Sequence, residues 1–375
     1  MSAKITVIVP VFNVADYVEE CLLSLVNQTL KDIEIIVVDD CGTDVSIEKV
    51  KNIASTDSRI RIIHNETNQG LSESRNVGLR HVSTPYVAFL DSDDYVAPDF
   101  YEKLYLKAKR TGADIAVGKA MYYYENSGIC REEWVSRWNF HTNLTIAEAP
   151  HEKQYNIYAC ACWDKIYKTS LFIDNEITFP KRLFIEDVPI TFITVALANK
   201  LVLVRDAKIF YRQRPNSIMK NLKANRRVFD IFAIYKYADA LLARLDVPHK
   251  DVYNKILDNF KIFNIYGWSN AVREELLTEF NKQMKETFGQ ISLKDNPFIT
   301  PESRRIHQEV VSGERIIGVI RYRLFGFLPI LKIVKTSIRT SVRLFNNIPL
   351  LTISRKTNII RYHVLGIPIL RLKTY

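Results

Sequence analysis

A chain of 375 residues is too long for one ordinary domain, and its 47% hydrophobic and 25% charged content is that of a globular protein with a sizeable core. No apolar run approaches the ~20 residues that cross a bilayer as a helix, and the five cysteines, Cys21, Cys41, Cys130, Cys160 and Cys162, are scattered and odd in number, which argues against a disulfide scaffold or a zinc module. The net charge of +10 has one source: residues 313–375 hold 12 Lys and Arg against Glu314 alone, while the other 312 residues hold 40 bases and 41 acids.

Met1 to Lys4 lacks a signal-peptide layout and leads directly into Ile5 to Phe12, an apolar β-branched run that predicts the first strand. Val18, Cys21, Leu22, Leu25 and Val26 fall at i, i+3, i+4, i+7 and i+8, so residues 15–28 are expected to form a helix with one buried face. Ile33 to Val38 predicts a second strand ending in Asp39 and Asp40, and Asp44 or Ser46 suits the cap of a helix running to about Ser55. Arg61 to Ile63 predicts a third strand, Ser72 to Val82 a helix, and Tyr86 to Leu90 a buried strand. Pro98 and Gly112 bracket a further helix in the favoured order, and Asp114 to Gly118 begins another strand.

Strands alternating with amphipathic helices predict a parallel sheet with crossover helices, and such sheets gather ligands at the carboxyl ends of their strands. Those ends carry Pro10, Phe12 and Asn13, then Asp39 and Asp40, then Asn68, Gln69 and Gly70 with Arg75, then Asp91, Ser92, Asp93 and Asp94. A dinucleotide fold would place Gly-x-Gly-x-x-Gly after the first strand, where Pro10 and Phe12 stand instead. Three carboxylates within four positions repel one another, and a hard divalent ion, Mn²⁺ or Mg²⁺, bridging them to substrate phosphates is the simplest relief. A surface turn is the competing reading of Asp-Ser-Asp-Asp.

The segments ITVIVPVFN (5–13), VVDDCGTD (37–44), NQGLSESRNVG (68–78) and FLDSDD (89–94) resemble, in order and spacing, the successive motifs of the family 2 glycosyltransferases of bacterial surface-polysaccharide type. Cys41 departs from the pattern, since Gly usually follows the paired acids. The resemblance implies a GT-A fold: an α/β, Rossmann-like sheet that binds a nucleotide-sugar, here a UDP-sugar. It implies that Asp40, with Asp39, accepts from the uracil imide, that Pro10, Phe12 and Asn13 cradle the base, and that Gly70 and Ser92 lie in the donor site. Arg75 would face the pyrophosphate, Asp91 the ribose or metal, and Asp93 the metal. The bland alternatives are that Asp39 caps a helix and that Arg75 is an exposed helix residue.

Residues 1–120 therefore read as the donor half of the domain and 121–220 as its acceptor half. Tyr122 to Tyr124, Trp134 and Trp138 supply aromatic faces that suit sugar rings as well as cores. Cys162-Trp163-Asp164-Lys165-Ile166-Tyr167 and Phe184-Ile185-Glu186-Asp187-Val188-Pro189 resemble the family's second signature pair. The resemblance implies that Asp187 is the base taking the acceptor proton, with Glu186 beside it, and makes Trp163, Asp164 and Lys165 acceptor-side candidates. A helix N-cap is the bland reading of Asp187. Tyr211 to Ile218 is a further family-like segment expected to close over the pyrophosphate.

Residues 221–296 read as a helical module, in which Val228, Ile231, Phe232 and Tyr235, then Val252, Ile256, Phe260 and Phe263, keep helical spacing around Pro248. Pro297 and Pro301 suggest a linker. The tail, 313–375, repeats at about twenty residues: Arg323 to Leu331, Arg343 to Leu351 and His363 to Leu370 each place Gly or Asn between apolar runs, which predicts strand-turn-strand units. Lys332, Lys335, Arg339 and Arg343 also share one helical face, which predicts a basic amphipathic helix suited to an anionic membrane. The expectation is a cytoplasmic, peripheral membrane enzyme that moves a sugar, with inversion, to a hydroxyl of a glycan or lipid-linked acceptor. Nucleic acid is not an expected partner, and an oligomer is compatible. Two rivals remain: an inactive carbohydrate-binding scaffold and a metal-dependent nucleotidyltransferase.

Overall fold

The computed structural model describes residues 2–132, 161–214, 225–270 and 272–312, and six backbone strands between 316 and 373. Trp134, Trp138, Cys160 and the segment from Pro215 to Ile218 lie outside the described residues. The chain divides into two compact units, one of residues 1–221 with 233–254 and one of 222–232 with 255–375.

In the first unit, β1 (Ile5–Val11) is buried along its whole length, as expected of a parallel strand covered on both faces. It pairs in parallel with β2 (Ile33–Asp39) and β4 (Tyr86–Phe89), and β2 pairs in parallel with β3 (Ile60–His64). The crossover helices are α1 (Val18–Val26), α2 (Ser46–Ala54) and α3 (Leu71–Leu79). α1 buries Val18, Cys21, Leu22 and Leu25, the stripe read from spacing, but is shorter than 15–28. α3 lies close on β1, because a Cβ on Gly78 would come within 2.4 Å of the Ile8 side chain.

Beyond β4 the sheet becomes mixed. β8 (Lys165–Lys168) runs antiparallel between β4 and β6 (Ile115–Tyr124), β6 pairs in parallel with β9 (Leu201–Arg212), and β5 (Tyr95–Val96) and β7 (Ile129–Glu132) complete nine strands. α4 (Phe100–Thr111) ends at Gly112, whose φ of 67° is the left-handed conformation that glycine takes without strain. Phe89 of β4 meets Tyr167, Phe172 and Phe179 edge-on at 6.1, 5.7 and 5.0 Å between ring centres. These rings pack β4 against α5 (Ser170–Ile173) and the chain that leads to α6 (Asp187–Leu197).

The expected helices follow as α7 (Asp230–Arg244), α8 (Lys250–Ser269) and α9 (Glu274–Gly289). In α8 the buried stripe takes Ile256, Ile262 and Ile265, while Phe263, counted toward the core from its spacing, is 57% exposed. In the second unit Phe280 packs on Phe229 and Phe232 at 5.7 and 4.9 Å. Pro301 does not sit in a linker: it opens α10 (Pro301–Ser312), and the Thr300 hydroxyl accepts from the Ser303 N–H at 3.0 Å, the geometry of an N-cap.

The tail is a six-stranded antiparallel meander of β10 (Ile316–Leu324), β11 (Leu328–Thr336), β12 (Arg339–Leu344), β13 (Ile348–Lys356), β14 (Ile359–Val364) and β15 (Ile367–Lys373). Each repeat is one hairpin, and each carries a register shift at the same place, beside Tyr322/Arg323, Val342/Arg343 and Tyr362/His363. The strand-turn-strand expectation holds, and the basic amphipathic helix does not: Lys332 and Lys335 lie in β11 and Arg339 and Arg343 in β12. Basic residues three to four apart satisfy a helical period, but the alternating Leu331, Ile333 and Leu344, Val342 pairs are what the backbone obeys.

Candidate active site

Because β1 to β4 run parallel, their carboxyl ends form one edge. Leu90 N–H donates to Ile8 O at 3.0 Å, the last rung of that ladder, and the chain then turns, with Asp94 N–H donating to Asp91 O at 3.0 Å. Asp94 is buried, and its Oδ1 accepts from the Arg212 N–H of β9 at 2.8 Å. Burial first, then the charges of Asp93 and Asp91, hold its carboxyl well above the usual range, and its bond to β9 anchors the turn.

Asp91 and Asp93 keep part of their side chains accessible, 23% and 16%. Asp93 is also pushed up by burial and by Asp91, and Arg214 opposes that shift through an ion pair with its carboxylate. Arg212, buried, donates its Nε to Asp93 O at 2.9 Å and pairs with Glu125 at 2.9 Å and with Glu20. Two mutually repelling hard carboxylates with a cation drawn to them fit a divalent ion. Among the described residues no group of three or more His, Cys, Asp or Glu is arranged to hold a metal. Asp91 and Asp93 are the side chains that would hold such an ion, with its remaining ligands coming from outside this turn.

Arg75 was expected to face the pyrophosphate. Its side chain is instead 2% exposed and lies between two carboxylates, donating to Asp91 Oδ1 at 2.6 Å and to Glu186, with Phe179 5.3 Å away. It is an internal clamp, carried on α3, that joins Asp91 after the end of β4 to Glu186 at the start of α6, and Glu186 lies 111 residues beyond Arg75 in the chain. Glu186 is buried, and burial raises its pKa against the opposing pull of Arg75. Asp187 opens α6, and burial, then Glu186, pushes its carboxyl up to about 7. Asp187 keeps an accessible edge. Ile185, just before this pair, has a φ of 54°, a strained value for a β-branched residue.

On the other side of β1, Asp40 is buried and its carboxylate accepts from the N–H groups of Gln69 and Gly70 at 2.7 and 2.8 Å and from Asn65 Nδ2 at 2.7 Å. It shapes the loop ahead of α3, and Asp39 is the more accessible of the paired acids. That residue accepts from Cys41 N–H at 3.2 Å and pairs with His64 Nδ1 at 2.8 Å. Gly70 has a φ of 84° and Cys41 a φ of 60°, so the position where the family usually carries Gly is left-handed here too. Asn13 (φ 51°) accepts from Thr43 N–H at 2.7 Å, Phe12 is 46% exposed beside it, and Pro10 is buried within β1. Ser92 is buried in the turn.

Of the three acceptor-side candidates, Asp164 and Lys165 are corrected to an internal role. They are buried and paired with each other, and Lys165 Nζ also donates to Ala161 O at 2.5 Å. Only Trp163 keeps an accessible face, stacked on Tyr211 at 5.1 Å and 26°. Sequence reasoning missed Arg212 and Arg214 as partners of the acidic turn. Their spacing of two at the end of β9, alternating with Tyr211 and Gln213, was the available signal.

The family model described as Glycosyl transferase family 2 matches residues 6–174. Glycosyltransferase GlyA of Streptococcus pneumoniae is 35% identical over 271 residues, but the match spans only 37% of that longer protein and 68% of this chain. The uncharacterized glycosyltransferase EpsJ of Bacillus subtilis is 34% identical over 288 residues, 74% of each chain. Among solved structures, residues 1–349 of S. aureus TarS in complex with UDP-GlcNAc superpose with a TM-score of 0.63 at 22% identity, covering 89% of this chain and 97% of that one. That likeness extends the fold over most of the chain.

Proposed function

The chain belongs to the family 2 glycosyltransferases, and from that premise we propose that it moves a sugar from a UDP-sugar to a hydroxyl of a growing surface glycan, with inversion. The UDP complex of TarS supports a uridine donor. The observation that carries the reading is the Arg75 clamp, which sets Asp187, with a pKa near 7, beside the acidic turn that a metal-bound diphosphate would occupy. A carboxylate raised toward neutral pH suits the task of taking a proton from an attacking hydroxyl.

Asp39, Phe12 and Asn13 bind and orient the base in this reading, and Trp163 on Tyr211 offers the acceptor sugar a flat apolar face. A divalent ion held by Asp93 and Asp91 would offset charge on the departing diphosphate. Arg214, already drawn to Asp93, supplies a second positive group at the same place. Arg75 fixes Glu186 and so the first turn of α6, which keeps the Asp187 carboxylate aimed at the acceptor. We place the reaction on the cytoplasmic side of the membrane, where soluble nucleotide-sugars meet lipid-linked acceptors.

The test is a panel of nucleotide-sugars with the purified full chain, in Mn²⁺ and in chelator, following nucleoside diphosphate release. Release from a UDP-sugar that chelator suppresses is the expected result. Release of pyrophosphate from a nucleoside triphosphate, or no turnover of any sugar donor, would overturn it.

A further inference from the structure

The meander sorts its residues by register. Ile320, Ile333, Val342, Leu351, Val364 and Ile367 form one row of paired positions across all six strands. The opposite face, one residue on, carries Arg321, Lys332 and Arg343 in a continuous row, and Arg339, Ser354, Arg361 and Arg371 in another. Of the strands' cations only Lys335 and Arg355 fall on the apolar face, and no strand contains an acid.

Like charges directly opposite one another destabilise a sheet. Here Arg321 faces Lys332, Lys332 faces Arg343, and Arg361 faces Arg371. A sequence selected for folding alone would place Glu or Thr at some of these positions, so the arrangement calls for an external anion. We propose that the basic face of this meander docks on an anionic phospholipid surface. The face is broad, since six strands at about 4.8 Å spacing make a sheet roughly 25 Å across, and its charge is of one sign in two parallel rows, which matches a plane of headgroups better than a single groove.

By register Tyr322 and Tyr362 belong to the apolar face, so the basic face has no strand Phe, Tyr or Trp, and His363 is its one ring on which a nucleic-acid base could stack. The inference stands apart from the transfer chemistry, because every residue it uses lies in the tail.

The experiment is co-sedimentation of the full chain with vesicles of phosphatidylcholine containing phosphatidylglycerol, at low and high salt. Binding to the anionic vesicles at low salt, lost in ~1 M salt as screening shortens the reach of each charge, is expected. One engaged cation is worth about a five-fold change in partitioning, so R321Q/K332Q/R343Q should weaken it roughly 100-fold. K335Q/R355Q, matched in kind but on the other face, should leave it within about five-fold. Donor hydrolysis by every variant is measured alongside and should not change, which shows that the chain is folded and keeps the docking result separate from the catalytic one. Failure of the full chain to bind at low salt overturns the proposal. So does equal loss in the two variants, and so does binding to duplex DNA or a soluble polyphosphate in preference to the vesicles.

Discussion

The carboxyl edge of the first sheet and the basic face of the meander both concentrate charge, and they treat it in opposite ways. At the edge the described arginines are matched with acids: Arg75 lies between Asp91 and Glu186, Arg212 between Glu20 and Glu125, and Arg214 on Asp93. In the meander cations face cations across neighbouring strands, and the only acid of residues 313–375 is Glu314, ahead of the first strand. Paired charge in a buried place fixes geometry, which is what bond-making chemistry requires. Charge of one sign spread over a face cannot position a reacting atom, but it can hold a large anionic surface.

The contrast breaks first at Arg75. Arg75→Met leaves two buried or half-buried carboxylates without their shared cation, and should cost about 3–5 kcal/mol of stability. Urea unfolding of the full chain checks this, and a loss below about 1 kcal/mol would mean that the clamp holds little. Asp93→Ala comes next: with the bridging carboxylate gone, donor affinity in Mn²⁺ should fall about 100-fold or more while affinity in chelator hardly changes. Calorimetry with UDP reads both, and unchanged affinity in Mn²⁺ would remove the metal from Asp93.

The smallest effect sharpens the contrast by having the opposite sign. Lys332→Gln relieves two like-charge neighbours, Arg321 and Arg343, and should stabilise the chain by about 0.2–1 kcal/mol in low salt. The gain should vanish in high salt. A loss of stability in low salt would show that Lys332 has a partner within the protein.

How legible these two regions were follows from the range over which each is determined. β1 to β4 and their helices were readable because short apolar runs and local helical spacing decide them, and the ordered motifs placed the ligand-type residues at the carboxyl ends of those strands. Asp40 and Asp164-Lys165 were placed in that site from the same motifs, yet the structure turns both inward, because Asp40 meets the N–H groups of Gln69 and Gly70 and Asp164 meets its own neighbour. No periodicity reports such contacts. The Arg75 to Glu186 bridge spans 111 positions, and pairing over that distance leaves no trace in spacing. In the tail, residues 332, 335, 339 and 343 satisfied two periods at once, and only the hairpin register separated them. Cys41 is the reverse case: its departure from Gly was visible in the sequence, and its φ of 60° explains what the position demands.

The account turns on Asp187 as the base, and the dependence of kcat/KM on pH tests it most directly. Its raised pKa means that the carboxyl is protonated and idle below about 7 and ionised and active above it. The rate of the parent chain should therefore climb through pH about 7 to a plateau, since kcat/KM reports the free enzyme. Asp187→Asn, measured in the same series, should bind donor normally, lose that inflection and turn over about 100-fold or more slowly. A variant that keeps the inflection, or that works within a few-fold of the parent on the plateau, would contradict the assignment and move the base to another group, with Glu186 the first to examine.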